Sequence, residues 1–418
     1  MTDDVEKNLP LPNLLLLVHR IPYPPNKGDK IRSYHLLQHL TKHYRVYMGC
    51  FVDDQDDLQY VSKVESLVCG SYFAPLDPLD ARLHSLPALL HGRAMSLDYY
   101  ASDKMRNWVN ATLDVYPIER IVVFSSVMGQ YIEHADSARR VIDFVDIDSD
   151  KWLQYAQKKW WPLSWLYRRE GNRLLDYERK LTEMCDLALF VSENESELFK
   201  RLAPESCEKI SYYNNGVDSD YFCPHPPDAP DLSHPNPYPQ QGQFIVFTGA
   251  MDYWPNCDAV QWFVDAILPG IQKRCPGTLF YIVGARPTKS VLALTERAGV
   301  KVTGSVPDVR PFLAHAHVAV APLRIARGIQ NKVLEAMAMA KTVVVSPEAL
   351  SGIEAQPDGE VLLADDASQY IDHVSRLLSG LQRDLGKAAR QKVLSRYSWE
   401  HNLAGINRML EGTADAAH

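Results

Sequence analysis

Leu14-Leu15-Leu16-Leu17-Val18, then an amphipathic stretch from Ile31 to Leu40, then Val46 to Val52: this succession decides the fold class. An apolar run of this length is too short to cross a bilayer, which takes about 20 residues, and suits a buried first strand. A helical stretch between two such runs is the pattern of a βαβ unit on a parallel sheet. A second series begins at Phe244-Ile245-Val246-Phe247 and continues with Thr278 to Val283, Val300 to Thr303, Val318 to Ala321 and Thr342 to Val345. The expected class is α/β, with two doubly wound Rossmann-like domains.

Between the two series lie Pro224, Pro226, Pro227, Pro230, Pro235, Pro237 and Pro239, a composition that sustains neither helix nor central strand. The expected organisation is an N-terminal domain over 1–223, a linker over 224–243 and a C-terminal domain over 244–395. A helix and tail over 396–418 are expected to pack back on the first domain, with the small polar end from Thr413 frayed. Doubly wound domains bind ligands beyond the carboxyl ends of their strands, so two facing domains are expected to enclose a cleft.

The chain has 418 residues, too many for one core and suited to two domains of about 200 residues. Hydrophobic residues at 46% and charged residues at 23% exclude wholesale disorder. A net charge of -8 argues against a general nucleic-acid binder, although one basic face can exist within an acidic total. Seven cysteines, an odd count without Cys-x-x-Cys spacing, disfavour a disulfide framework and a zinc site. With no secretory signal or spanning segment in the sequence, the expected location is the cytosol.

Residues 328 to 341 are expected to open a helix with Gly328 and Lys332 in its first turn and to run into Thr342-Val343-Val344-Val345. The first N–H groups of a helix lack partners within it and carry about +0.5 charge, which suits a phosphate. Gly328 permits close backbone approach, and Lys332 adds a point charge. Glu335, three residues on and on the same face, can accept hydrogen bonds from the two hydroxyls of a ribose. Diphosphate and ribose together mean a nucleotide. The same residues also suit an ordinary helix with a solvated Lys–Glu pair. Glycine-bearing loops follow three strands of this series: Gly249 in 248–252, Gly284 beside Arg286, and Gly304 ahead of Val306. A glycine after a strand often serves only the turn, but repetition along one sheet edge favours a site. Arg286 is expected to pair with a phosphate, and the backbone near Val306 to read a base edge.

These residues resemble the group 1, or family 4, glycosyltransferases, which have the two-domain GT-B fold. The resemblance rests on Leu334-Glu335-Ala336-Met337-Ala338 before the valine strand and on Ser398-Trp399-Glu400 near the end. Asn215-Gly216-Val217-Asp218 before the linker and Gly304-x-Val306 add to it. More narrowly, Val141 to Trp152 and Arg327 to Met339 look like the sugar transferases encoded with exopolysaccharide and PEP-CTERM exosortase systems. The resemblance implies a second domain that binds a nucleotide-sugar, a first that binds the acceptor, retention at the anomeric carbon, and Glu335 on the ribose. The expected donor set is Gly249, Arg286, Val306, Arg327, Gly328, Ile329, Gln330, Asn331, Lys332 and Glu335. There is one departure. The family commonly has a second glutamate eight positions before Glu335, where this chain has Arg327. Arg327 and Lys332 can instead neutralise the departing diphosphate.

In the first series, Pro22 to Arg32 is expected to form a loop between the first strand and the first helix. Gly28, Asp29, Lys30 and Arg32 are expected beside a phosphate of donor or acceptor, the alternative being a solvated basic loop with Lys27. His19 ends the first strand, where it is a further candidate catalytic residue at the cleft, the alternative being a histidine with no catalytic role. The acidic run Asp143 to Asp150 follows the strand led by Val141, where family members often place a histidine. Asp146 first, then Asp143 or Asp148, is the expected proton acceptor for the acceptor hydroxyl, unless Asp146 or Asp148 caps a helix near Lys151. No metal or other cofactor is expected. From Lys151 to Arg173, six aromatic side chains interleave with six basic ones, Lys158 among them. That pattern suits either a peripheral membrane contact with a lipid-linked acceptor or an aromatic packing cluster. The function implied is transfer of a sugar from a nucleotide diphosphate sugar to a hydroxyl of a lipid-linked or oligosaccharide exopolysaccharide precursor. The rivals are a nucleotide-sugar epimerase of the same fold and a degenerate sugar-nucleotide binding protein.

Overall fold

The computed structural model describes residues 11–25, 28–135, 137–157, 159–225, 234–326, 329–381 and 383–413. The chain forms two compact units, one of residues 1–214 with 403–418 and one of residues 215–402.

The first unit has seven strands: β1 (Asn13–Val18), β2 (Arg45–Val52), β3 (Gly70–Pro75), β4 (Ile118–Phe124), β5 (Arg139–Val145), β6 (Leu187–Phe190) and β7 (Ile210–Tyr212). All pair in parallel, in the order β3-β2-β1-β4-β5-β6-β7. Leu14 to Val18 are all buried, as expected of a central strand covered on both faces. Pro75, which cannot donate to a ladder, ends the edge strand β3. The order reverses between β1 and β4, and in such sheets ligands bind where the order reverses. The helix Gly28–His43 makes the first crossover. At the chain's end, the helix Ile406–Glu411 joins this unit: Tyr44 Oη donates to Glu411 Oε1 at 2.8 Å, and His39 Nε2 and Asn407 Oδ1 are 3.0 Å apart.

The second unit has six parallel strands: β8 (Gln243–Thr248), β9 (Thr278–Val283), β10 (Val300–Gly304), β11 (Val318–Ala321), β12 (Val343–Val345) and β13 (Leu362–Leu363). Their order is β10-β9-β8-β11-β12-β13, reversing between β8 and β11. Phe247, Phe263, Phe280, Leu334 and Met337 lie in its core. Two segments distant in sequence meet here. Val217 N donates to Tyr397 O at 2.7 Å, Val217 bridges to Ser398, and Asn402 Nδ2 donates to Asn215 O at 3.1 Å. A Cβ on Gly216 would lie 2.6 Å from Trp399 N, so the backbones approach as closely as only glycine allows. The motifs Asn215 to Asp218 and Ser398 to Glu400 thus form one contact that closes the unit.

Candidate functional site

In the second unit, the loops after β8 and β11 flank the point where the strand order reverses. The helix Asn331–Ala338 follows β11, and its first turn carries Lys332. Gln330 occupies the N-cap without a side-chain capping bond. Gly249 and Gly284 bring two loops together: a Cβ on Gly284 would stand 1.7 Å from Gly249 O, and one on Gly249 would stand 2.7 Å from Asn256 Nδ2 and 3.3 Å from Lys332 Cε. Gly249 N donates to Val283 O, Met251 N to Ala285 O and Gly284 N to Gly304 O, which ties the three loops. The glycines expected to line one edge do come together, and Lys332 lies against them.

Electrostatically this corner is under-satisfied. Lys332 Nζ donates to the neutral Gln330 Oε1 at 3.2 Å, and among the described residues no carboxylate lies within salt-bridge distance of it. Burial pushes its ammonium down to about 8, with Glu335 offsetting part of that shift. Burial pushes the Glu335 carboxyl up to about 7, with Lys332 opposing. The side-chain amide oxygens of Asn256 and Asn331 are buried and have no hydrogen-bond partner among the described residues. Buried polar groups are normally satisfied, so this cluster has room for hydrogen bonds from an added molecule. A half-buried ammonium at an uncapped helix start suits an anion, and a neighbouring acid one turn along suits hydroxyl donors.

Arg327 and Gly328 lie outside the described residues. Gln330 is buried and Ile329 packs on the core of the unit. Val306 is half-buried in the loop after β10. Arg286 is placed differently from expectation. Its guanidinium pairs with Asp252 in the loop after β8, with Nε 2.5 Å from Oδ2, so it braces one loop to the other. Its φ of 51° puts a non-glycine residue in the left-handed region, a strained conformation held by this loop cluster. Arg324 pairs in the same way with Asp258.

At the strand ends of the first unit, several expected residues have other tasks. Arg32 is fully buried and grips Asp143 through Nε at 2.8 Å and Nη2 at 3.2 Å, while Tyr213 Oη also donates to Asp143. Its guanidinium stacks 3.5 Å from the Tyr213 ring centroid. Lys30 is buried against Asp57, Nζ to Oδ2 2.7 Å. The expectation that Lys30 and Arg32 face a phosphate is therefore corrected: both turn inward, because burying a cation requires a carboxylate beside it and both have one. Asp143, for the same reason, is no proton acceptor for a substrate. Gly28 starts the first helix in the open, where a Cβ would meet nothing. Lys27 lies outside the described residues.

His19 and Asp29 do come together. His19 Nε2 is 3.5 Å from Asp29 Oδ2, and Arg20 Nη1 is 2.7 Å from the same oxygen while its other nitrogens hold Asp53. Burial raises the Asp29 carboxyl, but the His19 hydrogen bond and the Arg20 charge outweigh it and hold the group below the usual carboxylate range. The His19 ring lies parallel to Phe124, 6.0 Å between centroids, so it spans the β1 and β4 strand ends. Asp146 and Asp148, each about a third exposed, share Lys151 at 2.9 and 3.2 Å. Val145 just before them has φ 70°, an outlier for a β-branched residue that turns Asp146 out of the sheet. The helix that Asp148 opens, Asp148–Gln157, begins three residues ahead of the expected start near Lys151. Sequence reasoning missed Arg20, Asp53, Asp57 and Asn256. The signal for the first two was present: each lies within two residues of a strand's carboxyl end.

The aromatic and basic segment divides into the helices Asp148–Gln157 and Leu163–Met184. Trp152 packs inward on Tyr167 at 5.2 Å, whereas Trp160 and Trp161 are 92% and 80% exposed. Lys158 lies outside the described residues. Among the described residues no helix is long and apolar enough to cross a membrane, and no group of three metal-ligating side chains occurs.

Residues 242–380 match a family model described as glycosyl transferases group 1. No curated protein matches the sequence. Among solved structures, the sucrose-phosphate synthase of Thermosynechococcus elongatus is similar, with TM-score 0.65 at 16% identity over 96% of this chain and all of that one. Anabaena HepE in complex with UDP gives 0.64 at 13% identity, covering 96% and 100%. WaaG, a glycosyltransferase involved in lipopolysaccharide biosynthesis, gives 0.61 at 15% identity, again covering 96% and 100%. By architecture the chain has the GT-B fold, and by sequence the unit that carries Lys332 and Glu335 contains a group 1 glycosyl transferase domain.

Proposed function

We propose that this chain transfers a sugar from a nucleotide diphosphate sugar to a hydroxyl of a lipid-linked exopolysaccharide precursor, with retention at the anomeric carbon. The observation that carries the reading is Lys332. It is a desolvated cation at an uncapped helix start, without a carboxylate partner among the described residues, beside two loops that only glycine can bring so close. The diphosphate accepts from Lys332 and the helix N–H groups, and Glu335 accepts from the ribose hydroxyls. HepE, solved with UDP-glucose, makes uridine the first base to try. Negative charge develops on the diphosphate as the glycosidic bond breaks, so donors already aimed there stabilise the transition state more than the ground state. The departing diphosphate takes part in deprotonating the acceptor on the same face, and Asp146, about a third exposed and paired with Lys151, is the side chain we assign to receive or relay that proton.

With Lys332 and the helix supplying positive charge, the reaction needs no divalent cation, and turnover is expected to persist in EDTA. The enzyme works at the inner face of the cytoplasmic membrane, in the setting of PEP-CTERM and exopolysaccharide systems. The deciding experiment is calorimetric titration of UDP, GDP, ADP and their sugar conjugates into wild type and Glu335→Ala. Selective binding of one nucleotide, weakened in the variant, supports the reading. Binding of none would sink it.

A further inference from the structure

The first unit contains a hollow of about 360 Å³, at the small end of ligand pockets, which run to roughly 1,000 Å³. Met95, Tyr99, Tyr100, Trp152, Leu166 and Tyr167 give it an apolar, largely aromatic lining. Glu170 also borders it, but its carboxylate already accepts from Met95 N, Ser96 N and Ser96 Oγ, all within 2.8 Å. Arg82 contributes a cation at the exposed edge, and among the described residues no carboxylate pairs with it.

We infer that this hollow holds the carrier-proximal part of the hydrocarbon chain of a phosphorylated lipid, a proposal that rests on the lipid-linked acceptor proposed above. Three observations fix the occupant. First, the helices that line the hollow continue into exposed apolar residues. Leu163 shares a helix face with Leu166, Tyr167 and Glu170, and Leu79, Leu83 and Leu86 are exposed beside Arg82. Trp160, Trp161 and Trp165, also exposed, lie at the start of the Leu163–Met184 helix and just before it. Second, exposed Lys159 and Arg168 stand among these tryptophans, the mixture that seats a protein at an anionic lipid interface. Third, the inner wall is shared with the strand-end cluster. Tyr100 lines the hollow and meets the His19 ring edge-on at 6.0 Å. A chain entering from the tryptophan side therefore runs toward the strand ends where a hydroxyl must be presented, with Arg82 placed for the phosphate.

The test is calorimetry on the full chain with farnesyl phosphate, farnesol and inorganic phosphate, each below its aggregation concentration. Wild type is expected to bind farnesyl phosphate and not inorganic phosphate. Leu166→Trp, which fills the hollow, is expected to weaken farnesyl phosphate at least tenfold, and Arg82→Ala to weaken farnesyl phosphate more than farnesol. Trp160→Ser with Trp161→Ser should lose association with phosphatidylglycerol vesicles yet keep monomeric farnesyl phosphate. Equal affinity in wild type and Leu166→Trp would overturn the proposal. So would failure of a brominated alkyl phosphate to quench Trp152 in the Trp160→Ser/Trp161→Ser variant, a measurement that does not depend on how Leu166→Trp folds. Nucleotide titration of the same samples separates the two ideas: prenyl phosphate bound without any nucleotide leaves the hollow standing and defeats the transferase reading, and the reverse result does the opposite.

Discussion

The two sheets end in opposite electrostatic states. At the strand ends of the first unit the cations are held by carboxylates: Arg20 by Asp29 and Asp53, Lys30 by Asp57, Arg32 by Asp143, and Lys151 by Asp146 and Asp148. At the reversal point of the second, Lys332 has no carboxylate within salt-bridge distance among the described residues, and Glu335 offsets its desolvation only in part. A folded protein tolerates such a group where a ligand supplies the missing charge, so the difference marks where an anion belongs. The cations named in the first unit are already committed to carboxylates, which leaves none of these pairs open to an anion and suits presenting an uncharged hydroxyl.

The largest effect that would sharpen this contrast is expected at Asp146, which is paired with Lys151 but stays about a third exposed. Asp146→Asn should lower kcat roughly 10²-fold or more, the range for a positioned acid or base, with nucleotide affinity unchanged. Unchanged turnover would remove it from the chemistry. Next comes the buried pair. Arg32→Ala strands Asp143 as a buried charge and should cost about 3–5 kcal/mol of stability, read by denaturant unfolding, whereas Arg32→Met with Asp143→Leu should recover most of it. A mild loss in the single variant would mean that Arg32 is less committed to Asp143 than its geometry indicates. Lys332→Ala should then weaken nucleotide diphosphate roughly 10- to 100-fold, the loss of one charge-assisted hydrogen bond, and leave nucleoside binding nearly intact. Equal weakening of both would break the comparison.

Much of this was legible in the sequence, and the failures share a physical cause. The strands expected at 14–18, 46–52, 278–283, 300–303 and 318–321 are found within a residue or so, because buried parallel strands are unbroken apolar runs. β7 and β13, three and two residues long, are too short to show any period. The helix start at Lys332 was readable because its chemistry is local. Lys30 and Arg32 were misread because their partners are not: Asp57 lies 27 residues away and Asp143 lies 111. A lysine or arginine in a loop-rich sequence reads as solvated, and only the tertiary fold reveals the carboxylate that permits its burial. Arg286 and Asp252, 34 residues apart, are an exposed pair that only the tertiary fold brings together.

The smallest expected effect lies in the pH dependence of the unpaired corner. Burial lowers Lys332 to about 8 in the ligand-free protein, below the ordinary lysine value, and a bound diphosphate must raise it again by stabilising the ammonium. Nucleotide-sugar affinity should therefore fall as pH rises above 8, by up to tenfold per unit, because binding then requires proton uptake. Stability of the free protein has the opposite sign. Between about pH 8 and the unfolded lysine value near 10.4, the unfolded chain holds the proton that native Lys332 has lost, so this residue's contribution rises with pH. Calorimetric titrations and unfolding curves from pH 6.5 to 10 on wild type and Lys332→Met would show both trends in the first and neither in the second. An affinity loss that survives Lys332→Met would place the titrating group elsewhere and end the claim that this lysine distinguishes the second sheet from the first.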